Sequence, residues 1–546
     1  METHCTYIPY KQTGYFSKLV IDYLDNQPQL QPFYNLYPDI KNIEKAISRR
    51  KNFEHRQVLV EQLQKQYAGL NISEKTAGNI KLLLSDNTFT VTTAHQPNIF
   101  TGPLYVIYKI FHVIKIAEEL NAAIKENHFV PVYFMGSEDA DLDELNNITI
   151  NERKYVWQTK QSGAVGRMKV DKALLQLMNE MEGQLSVLPY GKDLIDIFRS
   201  AYTEKITIQQ ATLHVLNSLF GEYGLVIIIP DNPSFKKLFL PVLEKEIKEQ
   251  FSYKAVTDTI NKLEAHYKVQ ASGREINLFY LSDDKRERIE VESLPAGNAG
   301  LKFKVESLGL EWSLEEILKE LNEHPERFSP NVILRGALQE TILPNIIFVG
   351  GGGELAYWIE LKAVFQQAGV SYPMLVLRNS FLLIDEKQEK QIKKLGLPTE
   401  DLFLPEHELM KKIVDINTNN SYSLNGKIES FEGLYNKLLQ QANEIDASLN
   451  DHVLSLKTKA LKKITELEKK MLRAEKRRFV EQQQHIKKLK ASLFPGESLQ
   501  ERIENFSGFF ATGNKDFMNE ILQHSRAFNQ QFGLLARSPK GKNTGN

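Results

Sequence analysis

One stretch of the sequence, residues 89–121, joins a strand pattern, a short polar loop and a long helical pattern without interruption. Phe89–Ala94 alternates β-forming residues, which predicts a strand. Thr101 is then expected to cap a helix whose first turn contains Gly102 and Pro103. The helix is indicated by apolar residues at helical spacing, namely Leu104, Ile107, Phe111, Ile114, Ala117 and Leu120. Backbone N–H groups and the positive end of the helix dipole would face the strand end, which favours an anion there.

The rest of the chain repeats the alternation of buried strand and helix. Phe129–Met135 completes a βαβ unit, whose two strands should be parallel. Leu225–Pro230, Ile346–Val349 and Met374–Leu377 are further buried strands. Between them, residues 276–305 have the pattern of short antiparallel strands. The sequence therefore predicts an α/β fold, with one discontinuous parallel-sheet core and an insertion that is partly β.

The C-terminal part is predicted to be a long helical hairpin or coiled coil. From Phe431 to Lys490 there is no proline, and no glycine follows Gly433. Apolar residues recur at a spacing of three and four, first at Ala460, Ile464, Leu467, Met471 and Ala474, then at Leu472, Phe479, Ile486, Leu489 and Leu493. The lysines and arginines between them are typical of a solvated helix face rather than a nucleic-acid site.

Seven segments follow from these patterns. In chain order they are 1–86, an N-terminal helical layer; 87–270, the first part of the core; 271–330, the connecting insertion; 331–385, the second part of the core; 386–430, a linker; 431–493, the coiled coil; and 494–546, a helical return and tail.

Composition excludes several classes of protein. The chain of 546 residues has 68 Lys+Arg against 69 Asp+Glu, so its net charge of −1 indicates neither nucleic acid nor a membrane surface as a partner. Its single cysteine, Cys5, rules out an internal disulfide and a cysteine-based zinc site, and fits a reducing cytoplasm. No apolar run approaches the roughly 20 residues that span a bilayer, and the N-terminus lacks a signal-peptide pattern.

The loop after the first strand is the first candidate site. His95, Gln96 and Asn98 lie in it, and a neutral imidazole near a helix N-terminus can donate to an anion or act as a base. The alternative is ordinary turn chemistry, with Asn98 and Thr101 as capping residues. One turn into the helix, Tyr105, Tyr108 and Lys109 follow, and Lys109 either reaches an anion over the loop or is solvated.

The segment after the second strand, GSEDADLDE, is the second candidate. It places five carboxylates within seven residues, including Glu138, Asp139 and Asp141. Such a cluster could hold Mg²⁺ with waters, or bind and deprotonate an ammonium group. The alternative is an acidic loop that caps the next helix. The spacing does not fit an EF-hand.

Two further strand ends carry candidate residues. Gly350, Gly351, Gly352 and Gly353 precede a helix that begins near Glu354, and such a loop can approach a ligand closely or simply allow close packing. Arg335 and Gln339 lie one turn apart on a predicted helix that follows Ser329-Pro330-Asn331, and Arg378 follows the last core strand. Either arginine could bind a carboxylate or form a structural ion pair.

Taken together, these stretches resemble the cysteine-adding enzyme, or cysteine ligase, family of bacillithiol biosynthesis. The resemblance rests on the order and spacing of TAHQPNIFTGPLYVIYK, SEDADLDE, SPNVILRGALQETILP, VGGGGELAYW and MLVLRNS, followed by a coiled coil. It covers nearly the whole chain, and the joint match is specific although each motif alone is weak. The chain departs from the family pattern at His95, where glutamine is usual, and at Ala140, where histidine is usual. Gly336 and Gly352 stand in place of prolines.

The resemblance implies a Rossmann-like core, a coiled coil that pairs two subunits, and a cytoplasmic enzyme. The implied reaction joins the carboxyl group of L-cysteine to the amine of glucosaminyl malate as an amide, with an ATP/ADP-type nucleotide for activation; Mg²⁺ is left open. His95, Glu138, Asp139 and Asp141 are the implied catalytic residues. The implied substrate-binding residues are Gln96, Asn98, Thr101, Gly102, Tyr105, Tyr108, Lys109, Asn331, Arg335, Gln339, Gly350, Gly351, Gly352, Gly353, Glu354, Tyr357 and Arg378. A nucleotidyltransferase-like enzyme acting on another small acid, and a non-enzymatic coiled-coil scaffold, are the alternatives.

Overall fold

The computed structural model describes residues 2–270, 273–293, 301–418 and 423–538. These residues form two compact units. The larger unit comprises residues 9–381 and 500–533, and the smaller one comprises the described parts of 1–8, 382–499 and 534–546. Within the described ranges, no helix has the length and apolar character needed to cross a membrane.

The strands and helices are as follows. The strands are β1 (Glu2–Ile8), β2 (Thr88–His95), β3 (His128–Met135), β4 (Asn147–Ile150), β5 (Arg153–Val156), β6 (Val226–Ile228), β7 (Leu278–Leu281), β8 (Arg286–Arg288), β9 (Glu290–Ser293), β10 (Leu301–Val305), β11 (Leu310–Ser313), β12 (Phe328–Pro330), β13 (Asn345–Gly350), β14 (Met374–Leu377), β15 (Phe381–Ile384) and β16 (Phe532–Ser538). The helices are α1 (Tyr10–Thr13), α2 (Lys18–Leu24), α3 (Ile43–Arg50), α4 (Arg56–Gln66), α5 (Glu74–Leu82), α6 (Tyr105–Ala123), α7 (Leu142–Leu145), α8 (Lys172–Leu185), α9 (Gly191–Ala201), α10 (Ile208–Phe220), α11 (Pro233–Leu238), α12 (Leu240–Glu249), α13 (Phe251–Leu263), α14 (Leu314–Glu323), α15 (Val332–Ile342), α16 (Gly352–Ala368), α17 (Glu386–Leu395), α18 (Glu406–Thr418), α19 (Asn425–Ile445), α20 (Asn450–Lys476), α21 (Val480–Leu493), α22 (Gln500–Ile503) and α23 (Ser507–His524).

A five-stranded parallel sheet forms the core of the larger unit. Its strand order is β14-β13-β2-β3-β6, and every neighbouring pair is parallel. β2 leads through α6 to β3 on one side, whereas β13 lies on the other side. The predicted parallel βαβ unit is therefore confirmed. The order reverses between β2 and β13, and in open α/β sheets ligands bind outside the carboxyl ends of the strands at such a point.

Three of the buried threonines on β2, Thr90, Thr92 and Thr93, have hydrogen-bond partners for their hydroxyls. Thr93 donates to the Val349 carbonyl at 2.8 Å, which links β2 to β13. Thr90 and Thr92 lie within 3.1 and 2.8 Å of the Asn345 amide oxygen. A buried hydroxyl without such a partner would cost about 1–3 kcal/mol. These contacts form a buried cluster of hydrogen-bonded side chains around Asn345, at the start of β13.

Helix α6 begins later than predicted. All six apolar residues of its predicted pattern are buried, but its first residue is Tyr105 and no side chain caps it. Thr101 is not the capping residue. It ends a short 3₁₀ turn and has a φ of 71°, followed by Gly102 with φ 69° and ψ −147°. The chain therefore turns before the helix begins, which moves Thr101 away from its N-terminus.

The insertion is antiparallel, as predicted. β12, β7 and β8 form one three-stranded sheet, and β11, β10 and β9 form another. Helix α14 follows β11 and begins with a capping box at Ser313.

Three segments differ from their predicted structure. Residues 2–8 form strand β1 instead of a helical layer, and residues 532–538 form β16 instead of a helical return. β1, β16 and β15 make one sheet in that order. Its strands come from segments so distant in the sequence that no local pattern could pair them. The segment 386–430, predicted as a linker, contains α17 and α18. The polar tail 539–546 lies outside the described residues.

The predicted helical hairpin is confirmed. α19 and α20 run antiparallel, since the Leu424 N–H donates to Glu468 at 2.8 Å and Lys457 donates to Asn436 at 2.9 Å. Of the described side chains in these two helices, only Ala442 is buried. The hairpin therefore keeps most of its apolar surface exposed within one chain.

Candidate active site

A cavity of about 400 Å³ lies at the carboxyl ends of β2, β3, β13 and β14. Its polar lining is His95, Gln96, Tyr105, Lys109, Glu144, Gln270, Arg335, Gln339, Glu354, Tyr357, Arg378 and Arg502, with backbone from Gly136 and Gly351–Gly353. Phe134, Val332, Phe348 and Trp358 supply apolar walls. The cavity thus coincides with the reversal of strand order, where a ligand is expected.

His95 ends β2 and is partly exposed at the cavity. Its Nε2 lies 3.3 Å from the Tyr105 hydroxyl, and the two rings meet edge to face. Its packed surroundings hold the imidazole pKa well below its ordinary value, and the positive charges of Lys109, Arg378 and Arg335 lower it further. His95 is therefore a neutral imidazole at physiological pH.

Lys109 is a buried cation that reaches the cavity from α6. Its ammonium lies 2.5 Å from Glu354 Oε2 and donates to the Ala94 carbonyl at 2.9 Å. Burial lowers the pKa of Lys109, and Glu354 partly opposes this effect. Glu354 also accepts the Gly351 N–H at 2.8 Å. The glycine loop, for which close approach to a ligand or close packing was predicted, thus binds a carboxylate of the protein itself.

Arg378, after β14, forms a buried ion pair with Glu501 at 2.7 Å. Burial alone would lower the pKa of Arg378, but Glu501 raises it above its ordinary value. The guanidinium also donates to Ser380 Oγ at 2.8 Å and lies over the Tyr105 ring. Its Nε has no hydrogen-bond partner among the described residues, and a Cβ on Gly351 would lie 3.5 Å from it. The guanidinium is therefore rigidly held with one edge toward the glycine loop.

Arg335 and Gln339 project into the cavity from one face of α15, as predicted. Arg335 lies 3.5 Å from Asp139, which also receives the Gln96 amide at 3.3 Å. Burial alone would raise the pKa of Asp139, but Arg335, Arg286 and Gln96 lower it below its ordinary value. Asp139 is thus an ionised residue that orients Arg335 and Gln96, and it does not itself line the cavity.

The acidic segment after β3 is dispersed rather than gathered at one point. Glu138 is buried 2.5 Å from Lys236 and accepts from Ser329 at 2.9 Å. Asp141 is exposed and caps α7. Glu144 is the carboxylate of this segment that lines the cavity. Burial raises the pKa of Glu144, and the neighbouring Asp141 and Asp139 raise it further.

Comparison with known proteins identifies the family. A family model described as bacillithiol biosynthesis BshC, N-terminal Rossmann-like domain, matches residues 1–379, and one described as bacillithiol biosynthesis BshC, C-terminal coiled-coil domain, matches residues 381–536. The chain belongs to the BshC family of bacillithiol biosynthesis. The predicted Rossmann-like core and C-terminal coiled coil are confirmed by these matches and by the parallel sheet and long helices described above.

Full-length relatives agree with this assignment. A protein of Flavobacterium johnsoniae is 39% identical over 538 residues, which cover 98% of this chain and all of the relative. Relatives from Flavobacterium psychrophilum and Christiangramia forsetii are 40% and 39% identical, and in each case 98% of this chain and 99% of the relative are covered. All three carry the name "Putative cysteine ligase BshC".

Several residues proposed for the BshC-family site lie beside the cavity rather than in its lining. Tyr108 is fully buried against Phe381. Asn331 caps α15, and Gly350 accepts the Arg378 N–H through its carbonyl. Asn98, Thr101 and Gly102 shape the turn before α6. A Cβ on Gly102 would lie 2.6 Å from that of Asn98, so this turn requires glycine. These residues hold the loop that carries His95 and Tyr105.

The C-terminal return supplies site residues that the sequence did not reveal. Glu501 and Arg502 lie on α22, about 120 residues after Arg378, in a stretch with no motif. Arg502 lines the cavity and forms no ion pair within the described ranges. Next to it, the Asn505 side chain donates to the carbonyls of Phe100 and Gly102. α22 is thereby attached to the turn that precedes α6.

Gly336, which the resemblance predicted to be a departure from the family pattern, lies at a close helix–helix contact. A Cβ on Gly336 would lie 3.0 Å from both Phe365 and Trp358, so α15 and α16 pack closely at this point. This brings the Arg335–Gln339 face of α15 next to the glycine loop that starts α16.

The lining combines four cations with two carboxylates. It can bind a ligand that carries both acidic groups and an amine. A non-enzymatic scaffold would be expected to have an empty or apolar cleft between the glycine loop and the acidic segment. Charged side chains line this cleft instead. No group of three or more His, Cys, Asp or Glu side chains positioned to hold a metal ion occurs in the part of the chain that the structure describes.

Proposed function

We propose that this protein is a ligase that joins the carboxyl group of L-cysteine to the amine of glucosaminyl malate, forming an amide. Membership of the BshC family and the names of its relatives support the cysteine ligase activity. The observation that carries the rest is the mixed charge of the cavity. Glucosaminyl malate has two carboxylates and one amine, and the cavity offers guanidinium groups and carboxylates within about 400 Å³.

The malate carboxylates are assigned to Arg502 and to the Nε–H of Arg378, which has no hydrogen-bond partner among the described residues. Guanidinium groups recognise carboxylates through paired hydrogen bonds. Arg378 is already neutralised by Glu501, so Arg502 supplies the uncompensated charge. Lys109 is less suited to this task because Glu354 holds its ammonium.

Glu144 is assigned to the amine that attacks. An amine must lose a proton to become a nucleophile, and a carboxylate with a raised pKa is a better base than an ordinary one. Burial and two neighbouring carboxylates raise the pKa of Glu144. The neutral imidazole of His95 is a second acceptor in the same cavity.

A free carboxylate does not form an amide without activation, so we propose that ATP is a co-substrate. The glycine loop does not fit its phosphates in the arrangement seen here, because Glu354 occupies the N-terminus of α16. We therefore assign no phosphate-binding residues. Mg²⁺ is expected to arrive with the nucleotide rather than in a protein site.

Isotope transfer tests this proposal. The protein is incubated with glucosaminyl malate, ATP, Mg²⁺ and cysteine labelled with ¹⁸O in its carboxyl group. We expect an amide that retains one ¹⁸O, while the other passes to AMP or to phosphate, because the carboxyl oxygen attacks phosphorus during activation. Amide without label transfer would refute nucleotide activation. Pyrophosphate release without any cysteine turnover would favour the nucleotidyltransferase alternative.

We further propose that two copies pair through the α19–α20 hairpin. Leu434, Leu438, Leu454 and Leu467 are between 41% and 51% exposed. Exposed leucines at helical spacing are typical of a seam that a second helix pair covers. We place the reaction in the cytoplasm, because a free cysteine thiol persists in a reducing compartment.

A further inference from the structure

Glu340 is a buried carboxylate next to the cavity-lining Gln339 on α15. It has no exposed surface and forms no ion pair with a described residue. Burying a charged group in this way is costly unless hydrogen bonds compensate. Glu340 therefore needs an explanation beyond the packing of its helix.

Two side-chain amides meet one oxygen of this carboxylate. Oε1 of Glu340 accepts from the Gln339 amide at 2.9 Å and from the Asn345 amide at 2.7 Å. The amide oxygen of Asn345 is taken by the hydroxyls of Thr90 and Thr92. The ionised Glu340 carboxylate can only accept, so Asn345 turns its NH₂ group toward it, and the Asn345 oxygen accepts from the two threonine hydroxyls. The carboxylate thus sets the orientation of the Asn345 amide.

The same logic fixes the Gln339 amide. An ionised carboxylate only accepts hydrogen bonds, so Gln339 turns its NH₂ group toward Glu340. Its carbonyl oxygen is then left for the cavity, one helical turn from the Arg335 guanidinium. A guanidinium beside a lone acceptor matches a ligand with a carboxylate beside an ammonium group, which is an α-amino acid.

We propose that Glu340 is a positioning residue, which holds the Gln339 oxygen toward the cavity so that Arg335 and Gln339 together recognise the carboxylate and ammonium of an amino acid. The identification of that amino acid as L-cysteine rests on the proposed function. Glu340 itself does not touch the ligand and acts through Gln339.

The arrangement also responds to pH. Burial raises the pKa of Glu340 to about 7, against the lowering effects of Arg50 and of the two amides. Arg50 of α3 is the charged group that faces it, while Gln339 of its own helix and Asn345 of β13 face it with uncharged amides. Once protonated, the Glu340 carboxyl can donate a hydrogen bond to the Gln339 amide oxygen. That oxygen then turns toward Glu340 and away from the cavity. Affinity for the amino acid is therefore present above about pH 7 and lost as the pH falls below it.

Calorimetric binding of L-cysteine to the full chain tests the inference without requiring turnover. E340M removes the acceptor and is expected to weaken cysteine binding about tenfold or more at pH 8, because a hydrogen bond to a charged group is lost. Q339M should lose the same amount, and the double variant should be no worse than either single one, since both act through one contact. E340Q keeps an acceptor oxygen, so it should retain affinity and lose the pH dependence near 7. Thr341→Val, on the same helix, is the matched control and should bind as the wild type.

Kinetics provide the second measurement. E340M should raise the KM for cysteine about tenfold, while its KM for glucosaminyl malate and its kcat stay within about twofold. Unchanged cysteine binding by E340M and Q339M, additive losses in the double variant, or a wild type that does not bind cysteine would each overturn the inference. Cysteine binding with the expected losses, but without amide formation by the wild type, would refute the proposed function and leave this assignment supported.

Discussion

At the scale of single residues, burial decides which charges the cavity presents. His95 is kept neutral by its packed surroundings and by the nearby cations, so its proton is lost well below the usual pH. We expect the ¹³C signal of its imidazole, assigned from its absence in His95→Gln, to stay at the neutral position from about pH 5.5 to pH 8. A titration of that signal with a midpoint near pH 6.5 would contradict this environment.

The Arg378–Glu501 pair should be costly to break. Both side chains are almost completely buried, so Glu501→Gln leaves a guanidinium without its counter-charge. Removing one partner of such a pair costs about 3–5 kcal/mol, which urea unfolding followed by fluorescence would show as a lower midpoint. The control is Glu222→Gln, which breaks an exposed pair with Lys515 and should cost less than about 1 kcal/mol. Equal effects of the two variants would rule out a structural role for the buried pair.

At the scale of elements, the turn between β2 and α6 depends on Gly102. Its φ of 69° with ψ of −147° is a conformation that only glycine adopts readily, and a side chain would also meet Asn98. Gly102→Ala should therefore cost about 1–3 kcal/mol in backbone strain in addition to the steric contact. It should also lower activity, since His95 and Tyr105 flank this turn.

Gly14→Ala provides the comparison for this substitution. Gly14 also has a positive φ, but no atom lies within 4 Å of the point that a Cβ would occupy there. It should cost only about 1–2 kcal/mol, measured as the free energy of unfolding in urea. A Gly102→Ala protein that is no less stable than Gly14→Ala would mean that the turn is more adaptable than the structure indicates.

Elements defined by local pattern were predictable, and those defined by distant partners were not. β2, α6 and β3 follow from strand alternation and helical spacing within about 50 residues, so the parallel unit could be predicted. β1 and β16 pair across most of the chain length, and α22 reaches the cavity from residue 500. No local signal announces such contacts. The same limit applies to the acidic segment. Its residue types could be read from the sequence, but the position of Glu144 in the cavity lining depends on the fold of α7, which Asp141 caps.

At the scale of the whole molecule, the exposed leucines of the hairpin predict self-association. Light scattering after size-exclusion chromatography should give twice the mass of one chain. The double variant Leu438→Glu, Leu467→Glu should be monomeric, because unpaired carboxylates buried between the two hairpins would destabilise the dimer. Gln440→Glu, at an exposed polar position of α19, should leave the mass unchanged. A monomeric wild type would refute the pairing.

The whole account depends on the cavity being the place where the amide forms. The most direct measurement is mass-spectrometric detection of the cysteine–glucosaminyl malate amide, with wild type, Arg502→Ala and the exposed control Arg153→Ala compared at varied glucosaminyl malate. We predict that wild type and Arg153→Ala form the amide in the presence of ATP, and that Arg502→Ala raises the KM for glucosaminyl malate about tenfold or more, since a charged hydrogen bond is lost. No amide from the wild type with any nucleotide, or an Arg502→Ala variant with unchanged kinetics, would contradict the account.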